Sequence, residues 1–400
     1  MADEFVRARW RLLGGLALAC SGNGVLLMLF SVRSTKAGFG STVTAIVVGA
    51  YYLGFLVGSQ TAARLVRRTS TATTFGLLSM LLTATSLAAP LKVSPVFWVV
   101  LRGLIGYCFA SMYVVVESWL NRSTANADRA RVLGIYLATM MVSFASGSLI
   151  VLVTGTAGAA PFIVAGLLSI VGAGVARRLP EPGSATDKHG ASERGHISMG
   201  DLVRRAPLGT SSAVVTSIAN AAFVSSLAVW ATRSGYSPAR TSVFVTLGTI
   251  GPLFVQAPVT RWSDRSSRPR VMLLLTLASA IVAAGGAVGP VGGAVPLVGV
   301  FVLGGLTYTQ YSLYGAETND HVVAEQMPSA GGHLMLLTGI GAILGSVSVG
   351  VVYRLVGNDA VFWTMTAAHL GVAALVVTFG RGRIGPRPQT RAASLSVTRP

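Results

Sequence analysis

Twelve apolar stretches, each long enough to cross a lipid bilayer, constrain this sequence more than any other feature. The hydrocarbon core of a bilayer needs about 20 consecutive apolar residues per helix. The predicted spans are 11–31, 41–63, 72–90, 95–117, 132–153, 161–177, 208–230, 241–261, 271–289, 294–317, 330–352 and 360–380. Because helices satisfy their own backbone hydrogen bonds in lipid, the pattern predicts an all-α membrane protein with twelve transmembrane helices.

The composition excludes a soluble or disordered chain. Only 11% of the 400 residues are charged, whereas a soluble domain carries about 25%. The hydrophobic content of 52% is too high for intrinsic disorder. Both cysteines, Cys20 and Cys108, fall within predicted spans and do not form a disulfide framework.

The positions of the basic residues predict the orientation in the membrane. A net charge of +18 could indicate a nucleic-acid partner. However, 24 of the 31 Lys and Arg residues lie in segments on the side of the termini, six lie on the opposite side and one lies within a span. This bias predicts cytoplasmic termini in a multi-pass protein of the cytoplasmic membrane, with basic loops that contact anionic headgroups. It leaves no basic domain for nucleic acid.

The sequence divides into two halves that echo each other. We predict an N-terminal six-helix bundle over 1–177, a cytoplasmic linker over 178–207, a C-terminal six-helix bundle over 208–380 and a basic cytoplasmic tail over 381–400. Asn23 and Asn220 occupy similar places in spans 1 and 7, and Glu117 and Glu317 end spans 4 and 10. Repeated halves around a central pathway are typical of transporters.

Pairs of small residues predict where helices touch. Gly54 and Gly58 in span 2, and Gly341 and Gly345 in span 11, have the small-xxx-small spacing. This spacing lets two helix backbones approach closely in a membrane. We therefore predict helix–helix contact faces at both pairs.

Three short motifs carry more specific information. The loop after span 8 contains Asp264 and Arg265 followed by a basic end, whereas the loop after span 2 has Ala63 before Arg64. Span 4 contains the pattern Arg-x3-Gly-x3-Ala at positions 102, 106 and 110. The run Glu-Ser-Trp-Leu-Asn at 117–121 is followed by a second distinctive run at 128–136.

These motifs resemble the major facilitator superfamily over nearly the whole chain, and the runs at 117–121, 128–136 and 324–327 look like its YcaD-like branch. The resemblance implies two pseudo-symmetric six-helix bundles and a secondary transporter that works by alternating access. The Gly-Pro signature that many drug:proton antiporters carry in span 5 is missing from 143–147. The substrate of this branch is uncharacterised, so the resemblance predicts the fold more than the cargo.

Charged residues inside spans are candidate functional groups because they are costly in lipid. Of the 13 acidic residues, only Glu117 and Glu317 touch predicted spans, and both lie at cytoplasmic ends. Arg102 is the one basic residue at depth. It could bind a substrate anion or take part in a proton relay, or it could be a structural arginine satisfied by helix carbonyls.

Neutral polar residues complete the set of candidates for a substrate pathway. This set comprises Asn23, Tyr52, Arg102, Asn220, Gln256, Tyr308, Tyr311 and His333. Histidine can titrate near neutral pH, so His333 is the best proton carrier that is not a carboxylate. The alternatives are helix–helix hydrogen bonds for the asparagines, aromatic packing for the tyrosines and simple solvation for His333.

Charged residues at the cytoplasmic helix ends could form a gate. The candidates are Arg64, Glu117, Arg129, Asp264, Arg265 and Glu317. Ion pairs among them would form when the cytoplasmic face closes and break when it opens. The alternative is helix-end solvation with loose surface pairing, which contributes little.

The sequence as a whole predicts a secondary active transporter that moves a small organic solute across the cytoplasmic membrane by alternating access. Proton-coupled export is one form that this transport could take, and the direction and the coupling ion stay open. A non-transporting membrane sensor or scaffold is the alternative, although the longest polar stretch has only about 30 residues. No HExxH, phosphate-binding Gly-x4-Gly-Lys or GxSxG motif is present, so we expect neither an enzyme nor a cofactor or metal. The expected partners are the solute, protons and lipid, and the expected assembly is a monomer.

Overall fold

The fold is built from long apolar helices. The computed structural model describes residues 2–124, 128–180, 197–323 and 326–381, and this part of the chain contains helices but no strand. The helices are α1 (Ala2–Lys36), α2 (Ser41–Arg68), α3 (Thr71–Ala88), α4 (Pro95–Ser123), α5 (Arg129–Thr154), α6 (Ala160–Val175), α7 (Met199–Arg205), α8 (Pro207–Arg233), α9 (Pro238–Arg265), α10 (Arg268–Val288), α11 (Val295–Asn319), α12 (Met327–Val356) and α13 (Ala360–Gly380). The predicted all-α membrane fold is confirmed.

The helices other than α7 fit the twelve predicted spans. Nine described segments are long and apolar enough to cross a membrane, and one of them, Ser329–Gly380, contains both α12 and α13. The remaining two helices are α6, which is shorter at 16 residues, and α11, whose second half carries Tyr308, Gln310 and Tyr311. These polar groups dilute the apolar character of α11.

Separate hydrophobic cores lie in the two parts of the chain. One core cluster draws its residues from α1 to α6, between Ala8 and Ala176. Two further clusters draw theirs from α8 to α13, between Leu208 and Val376. The short helix α7 packs through Leu202 on Ala330 of α12. The linker and tail boundaries stay predictions, because 181–196 and 382–400 lie outside the described residues.

Glycines bring the helix backbones into direct contact. A Cβ atom added at Gly54 would collide with the carbonyl oxygen of Gly103, and one added at Gly345 would collide with that of Ile218. Gly58 and Gly341 make equally close approaches to α4 and α8. The contact faces predicted from the small-xxx-small spacing are therefore confirmed.

The same close packing recurs in both halves. In the first half, Gly147 of α5 packs on the Ser21 carbonyl of α1, as Gly345 of α12 packs on α8. In the second half, Gly304 of α11 packs on the Gly248 carbonyl of α9, matching the α2–α4 pair. Two kinds of helix pair thus occur once in each half, which makes four pairs in total. This repeated packing positions the inner walls of the two halves.

Polar contacts join the two halves at the end away from the termini. The Thr42 hydroxyl donates to the Gly350 carbonyl over 3.3 Å. Ser242 donates to the sulfur of Met28 over 3.4 Å, and Thr246 donates to the Ala145 carbonyl over 3.4 Å. All three contacts lie where α2 and α9 begin, so the halves are held together at that end.

The glycine contacts predict a sharp difference between two sites on α11. We expect Gly304→Ala to lower the melting temperature, because an added methyl meets backbone and overpacking costs about 1–3 kcal/mol. Gly299→Ala is the matched control, because nothing lies within 4 Å of its added Cβ. Thermal unfolding in detergent measures both variants. Equal melting temperatures for the two would contradict the close packing.

Candidate functional site

A cavity of about 290 Å³ lies between the two halves, near the middle of the long helices. Its walls come from α1, α2, α4 and α5 on one side and from α8, α9 and α11 on the other. The lining residues are Asn23, Leu27, Tyr51, Tyr52, Arg102, Tyr113, Met140, Met141, Phe144, Asn220, Val224, Thr249 and Tyr308. The structure therefore brings together five predicted pathway residues, namely Asn23, Tyr52, Arg102, Asn220 and Tyr308.

Arg102 is a buried cation whose polar atoms lack protein partners. Its side chain is 1% exposed and lines the cavity. Its Nε and Nη1 atoms are enclosed without a hydrogen-bond acceptor, and no described carboxylate forms a salt bridge with it. Its Cζ atom lies 4.9 Å from the ring centroid of Tyr51 and 5.4 Å from that of Phe30.

These ring contacts do not satisfy the guanidinium. A cation–π contact contributes about 0.5–2 kcal/mol, whereas removing an ion from water costs several kcal/mol even after relaxation. The alternative of an arginine satisfied by helix carbonyls is not what the described residues show, because no carbonyl accepts from Arg102. The lack of hydrogen-bond acceptors for the Arg102 guanidinium is the strongest chemical feature of the cavity.

The local sequence explains how Arg102 reaches this place. The neighbouring glycines, Gly103 and Gly106, let α4 pack directly on the backbone of α2. That approach places the ring of Tyr51 over the guanidinium. Tyr113 lies about three helical turns further along α4, on the same face as Arg102, and also lines the cavity.

The two asparagines offer hydrogen-bonding groups from matching places in the two halves. Asn23 donates through Nδ2 to the hydroxyl of Tyr51 over 3.3 Å. The Oδ1 atoms of Asn23 and Asn220 are both buried without a partner. The cavity thus combines one cation, two free amide oxygens and a largely apolar wall.

A second cavity of about 180 Å³ continues toward the end that carries the termini. It shares Tyr51, Tyr52 and Asn220 with the first cavity and adds Ser59 and Tyr311 among others. Tyr311 is 57% exposed. The two cavities therefore form a path that leads from the centre toward the side of the termini.

Two predicted pathway residues lie away from the cavities. Gln256 of α9 is partly exposed and lines neither cavity. The Nε2 atom of His333 donates to the carbonyl oxygen of Ile197 over 2.9 Å, which places this side chain against the linker. Sequence reasoning could not foresee this contact, because the linker carries no signal of where it docks.

The predicted gate residues are spread over the end that carries the termini. Glu117 is exposed and forms no ion pair with a described side chain, and Arg64 and Arg265 are exposed. Asp264 lies 3.8 Å from Arg268, which also binds Asp320 at 2.6 Å. The side chain of Arg129 lies outside the described part of the chain.

Glu317 differs from Glu117 in its surroundings. It is 2% exposed at the end of α11, and its carboxylate lies 3.9 Å from Nδ1 of His321. The second glutamate of the predicted gate is therefore packed inside its own half. Glu117, by contrast, is exposed.

The apolar wall of the cavity was not predicted from the sequence. Met140, Met141 and Phe144 of α5 face the cavity, although they look like any other apolar residues of a span.

A buried polar group outside the cavities is His369, which contacts Gln310 and Thr307 at 3.3 Å each. That residue is 0% exposed and is packed in the interior of the second half.

Comparisons with known proteins agree on one family. The family model described as Major Facilitator Superfamily matches residues 12–248 and 209–398. An uncharacterised MFS-type transporter of Enterobacter sp. strain 638 is 24% identical and covers 88% of this chain and 90% of its own. The uncharacterised MFS-type transporter YcaD of Salmonella arizonae is 24% identical and covers 84% of this chain and 86% of its own.

Solved structures share the architecture at low sequence identity. The nucleoside transporter NupG superposes with a TM-score of 0.78 at 12% identity, over 94% of this chain and 99% of its own. A D-xylose–proton symporter superposes with a TM-score of 0.72 at 10% identity, over 93% and 97%. These similarities establish the fold.

The cavity path predicts where a thiol reagent can enter. In a Cys20→Ala, Cys108→Ala background, we expect Tyr311→Cys to react with a membrane-impermeant maleimide from the side of the termini. Ser242→Cys should stay protected, because this residue is buried against Met28. Gel-shift labelling in oriented vesicles measures both. Faster labelling of Ser242→Cys would contradict the described conformation.

Proposed function

This chain belongs to the major facilitator superfamily, a family of secondary transporters, and from that premise we propose that it exports a small organic solute by alternating access, coupled to protons. The observation that carries the proposal is the central cavity, which is walled by both halves and is joined to a path toward one end. A midplane site between two repeated halves is the arrangement on which alternating access depends.

The contacts between the halves support loading from the side of the termini. The halves are joined at the opposite end by the hydrogen bonds of Thr42, Ser242 and Thr246. The exposed Tyr311 lies on the path at the side of the termini. The bias of basic residues predicts that this side is cytoplasmic. The conformation therefore suits the binding of a solute from the cytoplasm before its export.

Charge placement guides the proposed coupling. No Asp or Glu is among the described residues that line the two cavities. We assign the proton to His333, whose imidazole bridges α12 and the linker through Ile197. Glu117 and Glu317 are assigned to the gate, with pairs that form when the cytoplasmic end closes; Glu317, buried beside His321 in this conformation, would have to exchange that contact for a pair across the halves.

Reconstitution tests transport and coupling together. Solutes that stabilise the purified protein are loaded into liposomes, and we expect flux that rises several-fold when an inward proton gradient is imposed. In His333→Gln this response to the gradient should be lost while basal flux persists. Flux that ignores the gradient removes the proton from the proposal. Binding without any flux would instead indicate a membrane sensor.

The gate assignment has its own test. We expect Glu117→Gln and Glu317→Gln to favour the cytoplasm-open state and to slow transport several-fold, because the closed state loses ion pairs. The labelling rate of Tyr311→Cys reports the open state. Asp201→Asn is the matched control, because it removes a 3.8 Å surface pair with Arg204 in the linker helix. Unchanged labelling and transport in both glutamate variants would eliminate the gate.

A further inference from the structure

We propose that the central cavity binds a small organic monoanion with a flat apolar or aromatic body, and that Arg102 holds its acidic group. This inference deepens the proposed function, on which it rests for the statement that the ligand is carried.

The charge of the cavity comes from a single side chain. Arg102 is the one ionised side chain among the described residues that line the two cavities. It is 1% exposed, and its Nε and Nη1 atoms have no acceptor. A guanidinium presents parallel N–H donors that match the two oxygens of a carboxylate. A ligand with one negative charge completes this coordination, whereas a cation would be repelled.

The repeated helix packing shows which residue of the second half corresponds to Arg102. Gly54 of α2 faces the carbonyl of Gly103, and Gly251 of α9 faces the carbonyl of Phe301 in the same way. This register aligns Arg102 with Val300, which is 2% exposed. Because the second half forms the same helix pair with a valine, the packing does not require an arginine. The charge therefore serves the cavity.

The size and the lining of the cavity suit a flat apolar body. The cavity that holds the guanidinium is also lined by aromatic rings and by the apolar side chains of Met140, Met141 and Phe144. Thioethers and rings adapt well to flat apolar bodies. The volume of about 290 Å³ lies just below the range of about 300–1,000 Å³ of drug-sized sites. The free amide oxygens of Asn23 and Asn220 would accept from a hydroxyl on such a body.

A matched pair of probes isolates the charge. 4-Hydroxybenzoate carries the acidic group, ring and hydroxyl, and 4-hydroxybenzamide is its neutral counterpart. In thermal unfolding at equal ionic strength, we expect millimolar 4-hydroxybenzoate to raise the melting temperature of the full chain by a few degrees. The amide should leave it unchanged, and sodium sulfate should have less effect than 4-hydroxybenzoate.

Variants place the charge effect at Arg102. We expect Arg102→Gln to abolish the shift, and Arg102→Lys to weaken binding by about tenfold or more, because an ammonium lacks the planar fork. Arg240→Gln is the control. This arginine lies at the beginning of α9, over the ring of Tyr236, and it lines neither cavity. A cooperative melt of each variant without ligand verifies folding.

Several outcomes would overturn the inference. Equal stabilisation by the acid and the amide removes the role of charge, and a full response in Arg102→Gln or Arg102→Lys removes the role of Arg102. Equal stabilisation by sulfate would show that the cavity does not require a ligand with a flat body. Stabilisation by 4-hydroxybenzoate without liposome flux leaves this inference standing and overturns transport of this anion. Flux of a neutral or cationic solute that persists in Arg102→Gln leaves transport standing and overturns the inference.

Discussion

Direct contact between helix backbones is the constraint on which the rest of this structure depends. Lipid offers little hydrophobic drive to bring two apolar helices together, so close packing at small residues must hold them. Glycines provide it in the α1–α5, α2–α4, α8–α12 and α9–α11 pairs. The α2–α4 pair also builds the site, because it brings Tyr51 over Arg102. Packing and chemistry therefore share the same residues.

The two halves repeat their scaffold but not their chemistry. Asn23 and Asn220 face the cavity from matching places, and each keeps a buried oxygen without a partner. Arg102, by contrast, faces the cavity from one half alone, where the other half places Val300. The scaffold positions the site symmetrically, and the single side chain of Arg102 makes the site positively charged.

The sequence predicted the elements well and the site in part. Span length and glycine spacing have direct physical causes, so the helices and the contacts of Gly54 and Gly345 could be predicted. Arg102 stood out because a charge in a span is rare. The apolar wall of Met140 and Phe144 could not be predicted, because lipid-facing and cavity-facing positions are both apolar. Gln256 and His333 were predicted to line the pathway, but they lie away from both cavities. Their positions could not be predicted, because a nearly uniform apolar pattern gives little information about how a helix is rotated.

The lone arginine has an electrical consequence for a carrier of the proposed monoanion. An empty cavity holds one fixed positive charge, whereas a cavity filled by a monoanion is electrically neutral. A full elementary charge crossing the membrane exchanges about 2.3 kcal/mol per 100 mV with the field. Under an inside-negative potential, the field would therefore act on the form without cargo and favour its cytoplasm-facing state, whereas the form loaded with a monoanion would reorient with little electrical work. In the proposed export cycle, the return of the carrier without its anion but with the coupled proton would then be the electrogenic step.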